Sequence, residues 1–296
     1  MMIAKEKILL HKISDNAISG SGIELFMLRL DLIHPEISGN KWYKLKYNLE
    51  EARKQNKNTL LTFGGAFSNH IAAIAACGKE NNFNTIGIIR GEELTDESNA
   101  TLWRAKQNGM KLVFVSREDY RKRFREDFLT ELKNKYSDPY IIPEGGSNLL
   151  AVKGCAEILS DVTDSFDFAC CAVGTGATLA GLTASLSQKQ QAIGFSVLAN
   201  AEFLNDNVGD FIKQFSGNEI PNWKIIYNYH FGGYAHKTKA FTDFIQQFEM
   251  ENNIPLEPIY TGKMMYGLYD MIQSGYFTRG EKIIAVHTGG LQGKKS

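Results

Sequence analysis

The chain has 296 residues, 43% of them hydrophobic, enough for one large domain or two modest ones with a real core. Its 33 Lys and Arg residues balance 33 Asp and Glu residues, which argues against a nucleic-acid or membrane-surface role. Residues 1–12 lack the sustained apolar core of a signal peptide, no run approaches a membrane span, and four cysteines show no C-x-x-C spacing, so a cytoplasmic protein with structural thiols is expected.

Glu24 to Asp31 alternates as a strand does. Ser38-Gly39-Asn40 is a turn with cap-competent side chains, and from Trp42 the apolar residues Trp42, Leu45, Leu49 and Ala52 recur at helical spacing. Leu60 to Phe63 predicts a strand, followed by Gly64-Gly65-Ala66-Phe67-Ser68-Asn69-His70 and an alanine-rich helix from Ile71 to Cys77. Thr85 to Ile89 and Lys111 to Val115 are further strands with helices between them. The basic stretch Arg117 to Arg125 is interleaved with Glu118 and Asp119, which makes it a solvated helix face rather than a binding patch. A buried strand from Phe168 to Val173 runs into Gly174-Thr175-Gly176-Ala177-Thr178, and another, Ile284 to Val286, into His287-Thr288-Gly289-Gly290. Repeated β-to-α units imply parallel sheets covered by helices.

Lys41 stands out. It falls in the first turn of the helix after the Ser-Gly-Asn turn, where the positive end of the helix dipole opposes a cation and, in a dry site, favours the neutral nucleophilic amine. A solvated surface lysine is the bland alternative. The glycine turns after the strands weigh against it, because each places backbone amides and Ser, Thr or Asn side chains at a helix start suited to an anion. The six histidines lack ligand spacing apart from the weak pair His230 and His236, so no catalytic metal is expected.

Taken in order, Ser38-Gly39-Asn40-Lys41-Trp42-Tyr43-Lys44-Leu45, Phe63-Gly64-Gly65-Ala66-Phe67-Ser68-Asn69-His70, Glu144-Gly145-Gly146-Ser147-Asn148, Gly174-Thr175-Gly176-Ala177-Thr178, Pro258-Ile259-Tyr260-Thr261-Gly262-Lys263 and His287-Thr288-Gly289-Gly290 span almost the whole chain. In these motifs it resembles the pyridoxal-phosphate-dependent 1-aminocyclopropane-1-carboxylate deaminase and D-cysteine desulfhydrase family.

The resemblance implies two open parallel-sheet α/β domains with the cofactor, pyridoxal 5'-phosphate, in the cleft between them. Residues 1–46 and 144–296 would form the larger domain and residues 47–143 a smaller inserted one. Lys41 would form the Schiff base. Lys44 would reach the cofactor phosphate together with Gly174, Thr175, Gly176, Ala177 and Thr178, and Asn69 would hold the phenolic oxygen. Ser68, Asn69 and His70 would face the substrate carboxylate, with Ser68 a participant in proton transfer, and Tyr234 and Tyr260 would line the substrate side. The resemblance also implies a homodimer.

Departures from the family pattern bear on the substrate. Tyr43 stands where the family often has arginine and Lys46 where it has glutamate, so this helix face is expected to pair differently. Thr261 takes the place of a glutamate in the deaminase branch, and His70 that of a glutamine. Aminocyclopropane carboxylate has no α-hydrogen, and opening its ring is helped by a carboxylate that keeps the pyridine nitrogen protonated. Thr261 or Thr288 there is a neutral partner, enough for a substrate with an α-proton and a good β-leaving group. The expectation is elimination from D-cysteine or a related D-amino acid, giving pyruvate, ammonia and sulfide, with the deaminase as runner-up and a D-serine lyase next. Other classes are a nucleotide binder using Gly174-Thr175-Gly176, which has Leu179 where that fingerprint wants glycine or alanine, and a catalytically silent cofactor-binding or regulatory protein, against which the retained Lys41, Ser68 and Tyr260 argue.

Overall fold

Parallel strands buried on both faces read as continuous apolar runs, and such runs form the centres of two separate sheets. The computed structural model describes residues 8–294. The chain begins with β1 (Leu10–Ile13), α1 (Asn16–Ser19), β2 (Glu24–Leu28) and α2 (Asn40–Lys54). It continues through β3 (Thr59–Gly64), α3 (Asn69–Asn81), β4 (Asn84–Arg90), α4 (Ala100–Gln107), β5 (Met110–Val115), α5 (Arg117–Arg121), α6 (Glu126–Lys135) and β6 (Tyr140–Ile142). Next come α7 (Leu149–Cys155), β7 (Phe168–Val173), α8 (Ala177–Ser185), β8 (Gln191–Ser196), α9 (Phe203–Ser216), β9 (Trp223–Ile226), α10 (Lys239–Asn252), α11 (Thr261–Gln273) and β10 (Lys282–Val286).

The larger sheet has the strand order β1-β2-β10-β7-β8-β9 and the smaller one β5-β4-β3-β6. Every pairing is parallel except that of β1 with β2 at the edge, so the two-sheet α/β architecture holds with one antiparallel edge strand. Strand alternation divides the core: in β7, Cys171 and Val173 join one apolar cluster while Cys170 and Ala172 join that on the other face. All four cysteines are buried free thiols.

Two expectations shift. The strand expected over Glu24 to Asp31 stops at Leu28, because Arg29 turns back to clasp Asp31 with two hydrogen bonds of 2.8 and 2.7 Å. A domain boundary between residues 46 and 47 would cut α2, which runs unbroken from Asn40 to Lys54. α2 lies directly on α7: a Cβ on Gly154 would stand 1.9 Å from the Tyr43 carbonyl oxygen. We therefore propose that the smaller domain starts after α2. The basic stretch is a short helix and turn whose Arg117, Lys122, Arg123 and Arg125 pair with Glu93, Asp119, Glu144 and Asp127.

Candidate active site

Four turns at the carboxyl ends of strands meet the starts of α2 and α11, the usual ligand position in α/β folds. Gly39 makes the tightest junction. It has φ +70°, and an added Cβ would stand 1.9 Å from the Thr288 carbonyl oxygen, so only glycine lets the turn before Lys41 lie against the turn after β10. At Gly174 an added Cβ would stand 3.2 Å from the Tyr260 ring. An added Cβ on Gly290 would meet the Asn69 side-chain nitrogen at 2.4 Å.

Lys41 is the second residue of α2 and lies half-buried, its Nζ donating to Asn40 Oδ1 at 3.3 Å. Burial first, and then the neighbouring Lys44 ammonium, bring its pKa from 10.5 down to about 7. Burial therefore favours the neutral amine well below the pH at which an exposed lysine loses its proton. Asn40 is itself fixed, its Nδ2 donating to Thr178 Oγ1 at 2.8 Å.

Lys44, one turn on, is buried, and burial lowers its pKa. Its Nζ donates to the Gly145 carbonyl and Ser147 Oγ at 3.1 Å each and to Thr175 Oγ1 at 3.4 Å. All three acceptors are neutral, and among the described residues no carboxylate lies within ion-pair distance of Lys41 or Lys44. Next to Thr175, α8 starts at Gly176 without a side-chain cap, which leaves the amides of its first turn for a ligand.

Asn69 and Ser68 open α3. Ser68 Oγ caps the helix by accepting from Ile71 N at 3.4 Å, and Asn69 Oδ1 accepts from Gln292 at 2.8 Å, which leaves the Asn69 amide N–H groups as donors. Tyr260 donates its hydroxyl to Tyr234 at 3.3 Å, the rings edge to face with centroids 5.8 Å apart. Burial raises both phenol pKa values, so both hydroxyls stay protonated. Thr261 and Thr288 are buried with their hydroxyl oxygens 3.5 Å apart.

His70 is buried and half paired. It is only 2% exposed, and its Nε2 lies 2.8 Å from Thr62 Oγ1. The Thr62 hydroxyl donates to the Ile142 carbonyl, so it accepts from Nε2–H, and Nδ1 is left as a bare acceptor with no partner. Burial and the charges of Lys41 and Lys44 push its pKa well below 6.5. A neutral imidazole presenting a lone pair has no proton for a carboxylate. That bare Nδ1 lies beside the turn that holds Lys44, where a Cβ added to Gly146 would stand 3.2 Å from it.

The altered helix face pairs as its residues allow. Lys46 bonds Glu157 Oε2 at 2.6 Å, and Tyr43 is buried.

Ser147 and Glu257 carry parts that residue types alone did not reveal. Glu257 is 2% exposed and accepts from the backbone amides of Ile259 at 2.7 Å and of Tyr260 and Thr261 at 2.6 Å each. Burial raises its pKa from 4.5 to about 7, against the opposing pull of those amides and Lys263. Its position three residues before the uncapped Tyr260 was the available signal. Ser147 was legible only as part of Glu-Gly-Gly-Ser-Asn.

Residues 10–289 match the family of pyridoxal-phosphate dependent enzymes. The chain belongs to that family. A bifunctional D-cysteine desulfhydrase/1-aminocyclopropane-1-carboxylate deaminase of Arabidopsis thaliana, named as mitochondrial, is 30% identical over 298 residues, which span 92% of this chain and 74% of that protein. A D-cysteine desulfhydrase of Klebsiella pneumoniae is 26% identical over 291 residues, 91% of this chain and 87% of the other. A crystal structure described as an ACC deaminase homologue aligns with a TM-score of 0.86 at 27% identity, over 99% of this chain and 92% of that one. As a family member, the chain is an enzyme whose cofactor is pyridoxal phosphate. The residues present fit that group: a buried Lys44 held only by neutral oxygens beside an uncapped helix start suits a phosphate, and Lys41 suits an aldehyde.

Proposed function

We propose that this enzyme catalyses α,β-elimination on D-cysteine or a related D-amino acid, turning substrate and water into pyruvate, ammonia and sulfide. The observation that carries this reading is the buried Thr261–Thr288 pair, two neutral hydroxyls 3.5 Å apart where the deaminase branch sets a glutamate. Glu257, which accepts from the Thr261 amide, has its carboxyl taken up by three backbone amides. When bound, the cofactor supplies an aldehyde for the substrate amine and a sink for electrons at the α-carbon. Lys44, Ser147 and Thr175, with the amides from Gly174 to Thr178, hold the phosphate. Asn69 donates to the phenolic oxygen, and Ser68 and the α3 start meet the substrate carboxylate. Lys41, whose neutral form burial favours, takes the α-proton, and the leaving sulfur departs on the side of Tyr260 and Tyr234. The same reading includes a homodimer in the cytoplasm; among the described residues no helix is long and apolar enough to cross a membrane.

The names of the relatives support a second substrate equally, since the Arabidopsis protein is named for both activities. Thr261→Glu separates the readings. It should lower pyruvate release from D-cysteine relative to 2-oxobutanoate release from aminocyclopropane carboxylate by about tenfold or more, the scale of one charge placed at a reacting ring. An unchanged ratio in steady-state assays would show that residue 261 does not set the choice.

A further inference from the structure

Lys263 is fully buried in the first turn of α11, where the helix dipole disfavours a cation. Its ammonium has three protons, and each finds a backbone carbonyl in one loop: His230 at 2.9 Å, Gly233 at 2.5 Å and Tyr234 at 3.2 Å. Lysine is seldom buried, and none of these acceptors is charged. Helix propensity therefore does not explain the residue, whereas the loop does.

That loop is strained and held at two points. Phe231 has φ +54°, a left-handed conformation costly for a bulky residue, and its ring stacks on Phe241 with centroids 4.5 Å apart. The aromatic anchor fixes the first half. The second half, which carries Tyr234 to the Tyr260 hydroxyl, is tied to α11 by Lys263. Tyr260 immediately precedes α11 and Tyr234 hangs from its third residue, so a single helix start sets both phenols.

We propose that Lys263 is a positioning residue that pins the 230–234 loop and so places Tyr234 on the substrate side of the cleft. This rests on the reading that Tyr234 faces the substrate, and it holds for any amino acid the enzyme turns over. Replacing Lys263 with methionine strands three carbonyls; glutamine keeps two N–H donors and is the milder variant should methionine not fold.

The test uses the holoenzyme and a double-mutant cycle of Lys263→Gln with Tyr234→Phe. Lys263→Gln should keep the visible absorption of the lysine-linked cofactor and lower kcat/KM by about tenfold, yet lower it much less in the Tyr234→Phe background. Hydrogen exchange, which needs no substrate, should quicken in residues 230–236 and not in α2 or α8. Faster exchange without any turnover on D-cysteine would keep the pin and remove only the substrate assignment. Equal losses in both backgrounds, or unchanged loop exchange, would overturn the proposal.

Discussion

Lys41 is where local chemistry and stability oppose each other. Its amine has a pKa of about 7 against 10.5 in an unfolded chain, so between pH 7 and 10.5 the folded protein binds fewer protons than the unfolded one. The burial of this lysine therefore destabilises the fold fully below pH 7, and that effect fades as pH rises towards 10.5. Lys41→Ala is predicted to lose the visible band of the lysine-linked cofactor. In the cofactor-free state, the same variant should gain more thermal stability over wild type at pH 6 than at pH 10. An intact band, or an equal gain at both pH values, would contradict the role given to Lys41. The lysine was legible because a cation at a helix start after a Ser-Gly-Asn turn breaks a local rule. Asn69 and His70, adjacent in sequence at a helix start, diverge by about 100° around the axis, so the pairing of His70 Nε2 with Thr62 was not legible from its neighbour.

At the scale of elements, the strands were legible where they are central. β7 is an unbroken apolar run that meets Gly174 and β10 is apolar after Lys282, whereas β1 is an edge strand with two exposed residues and β6 has three residues, too few for a period to register. The helix start at α11 was the least legible, since its organiser, Glu257, lies in a Leu-Glu-Pro stretch that reads as loop. Its raised pKa implies a pH effect of definite sign. The folded state holds the proton from pH 4.5 up to about 7, so stability is full below 4.5 and falls as pH rises through that window, by up to roughly 3 kcal/mol. Glu257→Gln removes the titration and turns its NH2 towards an amide such as that of Ile259. In urea unfolding of the cofactor-free protein, the variant should show a flatter dependence between pH 4.5 and 7 than wild type. Parallel curves would mean that Glu257 titrates as an exposed carboxylate does.

Across the whole molecule, the two sheets bring residues more than 200 positions apart to one cleft, as in the contact of Asn69 with Gln292 and that of the turn at Gly39 with Thr288. The order of the glycine motifs carried the family, and that resemblance carried the two-sheet architecture, because glycine turns after strands are local signals. It could not carry what depends on packing between distant segments, such as the shared Lys44 cradle of Gly145, Ser147 and Thr175, or the Lys263 peg in the loop at Tyr234. In the function we propose, a neutral threonine pair, Thr261 and Thr288, selects elimination. It is tested most directly by 2-oxo-acid release by the cofactor-loaded enzyme, as pyruvate from D-cysteine, L-cysteine and D-serine and as 2-oxobutanoate from aminocyclopropane carboxylate. The enzyme should release pyruvate with matching sulfide from D-cysteine and no 2-oxobutanoate from aminocyclopropane carboxylate; efficient 2-oxobutanoate release from aminocyclopropane carboxylate would contradict that selection.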